Sequence, residues 1–231
     1  MVRSRRVVLG GAVRPASVHL YGGCIARVSD WNDAPSGDAT LDAGDAIIAP
    51  GLVDTHVHVN EPGRTAWEGF ETATRAALAG GVTTIFDMPL NSIPATTSVV
   101  ALEAKRTAAR GRIASNVGLI GGVVPGNARD LAPLHARGVT LFKCFLVPSG
   151  VDEFPAVSVH DLEIALPILA GLGATLMVHA EDPALIAAAP HGGSRGYAAY
   201  ESSRPPKSER RAIETVAALA ERFGARVHIV H

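Results

Sequence analysis

The chain has 231 residues, 47% of them hydrophobic and 19% charged, so it has the material for a sizeable buried core and does not read as disordered. Its formal charge of −1 comes without any stripe of Lys or Arg, which excludes a nucleic-acid-binding surface of the basic kind. Two cysteines, Cys24 and Cys144, are too few for a disulfide framework, and no apolar run approaches the roughly twenty residues of a membrane span, so a soluble, cytoplasmic protein is expected.

The basic opening Met1–Arg6 leads into Val7–Val13, an apolar stretch too short and glycine-rich for a signal peptide, and Arg14 then interrupts it. Within residues 1–50, the runs Val7–Leu9, Ser17–Tyr21 and Cys24–Val28 read as short strands between turns, and Asp30–Asp45, rich in Asp, Gly and Pro, reads as a loop. This predicts a small N-terminal β unit packed outside the main domain.

From residue 51 onward a β-then-α rhythm sets in. Strands are predicted at Val53–Val59, Thr83–Met88, Ser115–Gly121, Val139–Val147, Thr175–Ala180 and Arg226–His231. Helices are predicted between them at Trp67–Ala79, Ser98–Arg110, Asn127–Ala136, His160–Leu172, Pro183–Ala189 and Pro206–Phe223. Gly80-Gly81, Gly138, Gly173 and Gly224 stand where helix C-caps belong. Asp182 before Pro183, and the stretch Ser203–Pro206, read as helix starts.

Repeated βα units require parallel strands and an α/β fold. Chemically capable residues close nearly every strand: His56 and His58, Asp87, Lys143, His179 and His231. That distribution suits a (β/α)₈ TIM-type barrel better than an open sheet, whose site gathers at one switch point. Only six of the eight strands are found after Gly51, so the barrel is expected to be cut short, with 1–50 as the small β unit and 51–231 as an incomplete barrel.

His56 and His58 lie one residue apart on the first of these strands, so they project from one face while Val57 and Val59 project from the other. Two imidazoles so placed can grip one metal ion if other ligands arrive from elsewhere. Lys143 sits in the apolar run Thr140–Val147, where a lone ammonium is costly; the amine is either paired or neutral and reactive. His179 and His231 close two later strands, and His231 is preferred to His228 because it stands at the C-terminal end, where barrel sites lie. Four histidines and a buried lysine at strand ends together point to a metal site. His19, His135, His160 and His191 fall in the outer unit, helices or loops and are read as structural or surface residues.

These motifs resemble the amidohydrolase superfamily in its cyclic-amidase branch. The similarity rests on Val53-Asp54-x-His56-x-His58, the strand lysine and the two later strand-end histidines, and it extends over essentially the whole chain. Within the branch, His56–Gly69 followed by Phe86–Pro94 resembles the group that opens a hydantoin ring in an uncharged ureide during purine breakdown. The resemblance implies two divalent metal ions, with zinc expected: His56 and His58 on one, His179 and His231 on the other, and Lys143, carboxylated by CO₂ to a carbamate, bridging both. It also implies a composite β-sandwich around the N-terminal unit, and a homo-oligomer, commonly a tetramer. A proton-shuttling Asp at the end of the eighth strand belongs to the pattern. No residue of this chain can be that Asp, so the 231 residues by themselves are expected to lack activity and to be poorly soluble.

The resemblance also bears on substrate. Dihydroorotases carry an Arg after the His-x-His-Leu motif and an Asn after Met-Pro, which hold a substrate carboxylate; here Asn60 and Leu90 stand at those positions. Without that Arg a neutral ring is the better match. Asn60 and Asn91 are candidate substrate contacts, with turn formation as their alternative role. Hydantoinases and dihydropyrimidinases are the alternative assignment, as is a metal-free structural relative.

Overall fold

The computed structural model describes residues 1–33, 40–190 and 196–231. The chain divides into two compact units, Met1–Leu52 and Val53–His231. In the first, β1 (Val2–Leu9), β2 (Ala12–Tyr21) and β3 (Cys24–Ser29) form an antiparallel meander, and β4 (Leu41–Asp42) and β5 (Ile47–Ile48) pair parallel to β1. Val7, Ala16 and Val18 are its buried core. The segment predicted as loop over Asp30–Asp45 therefore contains a short strand, β4; its remainder includes 34–39, outside the described residues, as is His191.

The second unit alternates strands and helices: β6 (Leu52–Val57), α1 (Phe70–Ala79), β7 (Val82–Asp87), α2 (Val99–Ala109), β8 (Asn116–Leu119), β9 (Gly121–Gly122), α3 (Ala128–His135), β10 (Leu141–Phe145), α4 (Val159–Leu172), β11 (Thr175–His179), α5 (Pro183–Ala187), α6 (Tyr197–Ser203), α7 (Pro206–Phe223) and β12 (Arg226–Val230). The run expected as one strand, Ser115–Gly121, is broken at Ile120 into β8 and β9, and α6 was not anticipated. Sheet order is β6-β7-β8 and β9-β10-β11-β12. Within each of these two sheets the strands stand side by side in sequence order, whereas the order of a doubly wound sheet reverses at a switch point.

Helix ends follow their capping chemistry. Ser158 caps α4 and exchanges hydrogen bonds with Asp161, and the Asp182 carboxylate accepts from Leu185 N at the start of α5. Gly173 and Gly224 end α4 and α7 at φ 66° and 62°, a left-handed conformation that glycine adopts without a Cβ clash.

Strand alternation sorts two cores. Phe142, Cys144, Leu176 and Val178 face the helices, against Leu134, Leu162, Leu166 and Val216. Phe145, Met177 and Val230 face the other way, with Met88, Ile120 and Phe154. Lys143, between Phe142 and Cys144, and His179, two residues after Met177, share that second face.

Candidate metal centre

Five side chains predicted from the strand ends meet on the inner face. Val57 and Val59 pack with Phe70 and Ile85 toward the helices, so alternation turns His56 and His58 inward, with ring centroids 5.7 Å apart. Lys143 Nζ lies 3.4 Å from His56 Nε2 and 3.2 Å from His231 Nε2. Those two rings, from the first and last strands of the unit, are 5.0 Å apart. His179 Nδ1 is 2.7 Å from His231 Nδ1, and Phe145 stacks on the His179 ring at 5.1 Å while Lys143 Nζ stands 5.0 Å above its face.

His231 arrives by a different route from the others. Val227 and Ile229 face the helices and Val230 the inner core, so alternation by itself would put His228, not His231, on the inner face. His231 has a φ of 51°, and this left-handed turn just past the strand redirects its ring into the cluster. Strand parity could not have revealed it.

Asp87 does not belong to the cluster. Its parity with Ile85 sends it to the helix side, where it is fully buried against Lys105 of α2. Lys105 Nζ donates to Asp87 Oδ2 at 2.7 Å and to Met88 O at 3.0 Å; Asp87 Oδ1 accepts from Val59 N at 2.8 Å. Burial pushes the Asp87 carboxyl above its ordinary value, against the pull of the Lys105 charge. The pair clamps the backbone just past His58.

The loops over the cluster are tied by Arg64. Its guanidinium pairs with Glu153, donates to Asn91 O at 2.9 Å and lies over the Trp67 ring; the same hydrogen bond holds the Glu153 carboxyl below the usual carboxylate range. Asn60 and Asn91 adopt left-handed φ of 64° and 70°, a conformation asparagine tolerates. The Asn91 amide is 3.2 Å from His58 Nδ1, and Asn60 Oδ1 is buried with no hydrogen-bond partner. Of the two, only Asn91 is joined to the cluster by a hydrogen bond.

The donor chemistry fits a metal site. Burial lowers the pKa of His56, and lowers those of His58 and His231 to about 4, with the Lys143 charge adding to each, so these imidazoles are neutral with lone pairs available near pH 7. Burial alone lowers the Lys143 amine to about 8, and no ion pair holds it among the described residues. Nonetheless, among the described residues no three His, Cys, Asp or Glu side chains are already disposed to hold an ion. Lys143 Nζ stands among the ring nitrogens, a donor where a metal would need an acceptor. Glu181 and Arg204, which the sequence did not single out, lie against His179; the His-x-Glu spacing at a strand end was the available signal.

Residues 47–229 match the amidohydrolase family. The chain is 50% identical to an allantoinase of Streptomyces avermitilis, over all of this chain and 52% of that protein. It is 44% identical to a mitochondrial allantoinase of Aquarana catesbeiana, over all of this chain and 48% of the relative. The chain thus spans about half the length of the curated relatives it matches. Among solved structures, an L-hydantoinase (dihydropyrimidinase) from Arthrobacter aurescens superposes with a TM-score of 0.90 at 31% identity, covering all of this chain and 52% of the other.

Proposed function

The chain belongs to the amidohydrolase family, and from that premise we propose that it serves the metal-dependent opening of the hydantoin ring of allantoin to allantoate, in purine catabolism. The family and the hydantoinase likeness imply a TIM-barrel-type fold and dependence on divalent metal; we take the barrel to be an eight-stranded one, with Met1–Leu52 contributing to a β-sandwich. The observation that carries the reading is the convergence of His56 on β6, Lys143 on β10 and His231 just past β12, with Lys143 Nζ 3.4 and 3.2 Å from the two imidazoles.

His56 and His58 would hold one ion, and His179 and His231 the other. Lys143 is assigned the bridge as an N6-carboxylysine. Buried without a counter-charge, its amine is a poor neighbour for imidazoles; a carbamate converts that donor into anionic oxygen acceptors between them. Zinc suits this mixture of imidazole and oxygen donors. When bound, the pair of ions supplies an acidified water and polarises a ring carbonyl.

The chain's own residues orient and enclose. Asn91 Nδ2 donates to His58 Nδ1 at 3.2 Å and holds the orientation of that ring. Asn60 is assigned a substrate contact on the family resemblance, and its Oδ1 is a buried acceptor with no hydrogen-bond partner. Phe145 covers one face of His179 and keeps water from that side. The working protein is taken to be a cytoplasmic homo-oligomer, commonly a tetramer among relatives, and Cys24 and Cys144 are both free thiols.

A hydantoinase is the second reading, because the Arthrobacter aurescens structure matches the backbone so closely. Ring-opening rates of the intact zinc-loaded protein on allantoin, an unsubstituted hydantoin and dihydroorotate separate the readings. Allantoin is expected to be the fastest by kcat/KM. A faster hydantoin establishes the second reading, and a faster dihydroorotate refutes the assignment made from Asn60 and Leu90.

A further inference from the structure

Outside the proposed ligands, a buried carboxylate and an arginine are built against one of them. Glu181 follows His179 by two residues, and only 6% of its surface is exposed. Its Oε2 lies 2.7 Å from His179 Nε2 and accepts from Arg204 Nη1 at 2.5 Å. The backbone leaving this point is pinned as well: Asp182 N donates to Ser208 O at 3.1 Å and to Ser208 Oγ at 2.8 Å, and Ser208 is fully buried at the start of α7. Arg204 caps α6 and lines a cleft of about 390 Å³ with Tyr200, Ser149 and His179.

We infer that Glu181, held by Arg204, is the positioning residue that fixes the tautomer and the aim of His179. A carboxylate only accepts, so the hydrogen it shares with His179 must be on Nε2. A neutral imidazole carries one N–H, which leaves the lone pair on Nδ1, the nitrogen that faces His231 at 2.7 Å. Arg204 donates to the same Oε2 and thereby stops the carboxylate from turning away. An imidazole restrained by an outer carboxylate binds metal better than a free one, and losing such a partner typically weakens binding by about 10- to 100-fold. The stacked Phe145 ring limits tilt about the remaining axis.

The inference rests on the metal reading of His179. Its test is a zinc titration of the intact protein against a competing chelator, with thermal melts run beside it. Glu181→Leu is expected to weaken one of two zinc sites by about 10- to 100-fold and to leave the other near wild type. Glu181→Gln keeps an acceptor and recovers most of the loss. Arg204→Met weakens the same site by less, and it keeps the test sharp if Glu181→Leu fails to fold. Wild-type affinity at both sites in Glu181→Leu or Arg204→Met, or equal weakening of both sites, overturns the inference. A wild-type protein that binds no zinc sinks the metal reading, and the inference with it.

Discussion

Replacing Lys105 with Met tests the strongest energetic claim made for the interior. Both members of the Lys105–Asp87 pair are fully buried, with 2.7 Å between Nζ and Oδ2. Removing the lysine leaves a buried carboxylate with a single remaining donor, Val59 N, and orphans Met88 O. Breaking a buried pair from one side costs about 3–5 kcal/mol. At about 2–4 °C per kcal/mol for a unit of this size, the melting temperature should fall by roughly 6–20 °C. The penalty should depend on pH with a definite sign. Burial already raises the Asp87 carboxyl, and loss of the Lys105 charge raises it further. A folded-state pKa above the unfolded one means stability that is present in acid and lost as pH rises through the folded value. The difference between variant and wild type should therefore be smallest in acid and widen toward neutral pH. Urea denaturation of the intact protein across that range is the assay. Asp87→Leu combined with Lys105→Met should recover the part of the loss that comes from the unpaired buried charge, and leave about 1–3 kcal/mol for each of the unpaired Val59 N and Met88 O. A single-variant cost below about 1 kcal/mol, or one independent of pH, refutes the reasoning.

Further outcomes are expected elsewhere in the chain. Ser158→Ala removes the α4 N-cap and its exchange with Asp161, and should cost about 1 kcal/mol in urea denaturation. Gly118→Ala would bring a Cβ within 2.5 Å of the Phe86 ring; overpacking of this kind should cost about 1–3 kcal/mol, and an unchanged melt would show that the ring has room to move. Cys144 is fully buried and its thiol is pushed up to about 12, whereas Cys24 is exposed. A thiol reagent at neutral pH should label Cys24 and spare Cys144 until the protein is unfolded, as peptide mapping would reveal.

The parts legible in the sequence were those governed by local rules. The inward face of His56 and His58 follows from strand alternation, and the ends of α4 and α7 from glycines that take a left-handed turn. Lys143 was conspicuous because an ammonium in an apolar strand demands a reason. What escaped depends on distant partners. Lys105 occupies a helix in which any lysine would look like a solvated one, and only its packing on Asp87 exposes the role. Asp87 stands at a strand end like the proposed ligands, yet one step of parity sends it to the opposite side. β4 is two residues long and exists because β1 offers it an edge, and the break at Ile120 between β8 and β9 leaves no mark in the apolar pattern of the sequence. Glu181 and Arg204 are separated by 23 positions, and nothing local joins them.

The central claim is a two-metal site bridged by Lys143, and elemental analysis of the purified intact protein beside its Lys143→Ala variant tests it most directly. The account predicts two divalent ions per chain in the wild type and a marked loss in the variant, with allantoin hydrolysis falling in step. A wild-type protein free of metal, or a variant that keeps both ions, would contradict it.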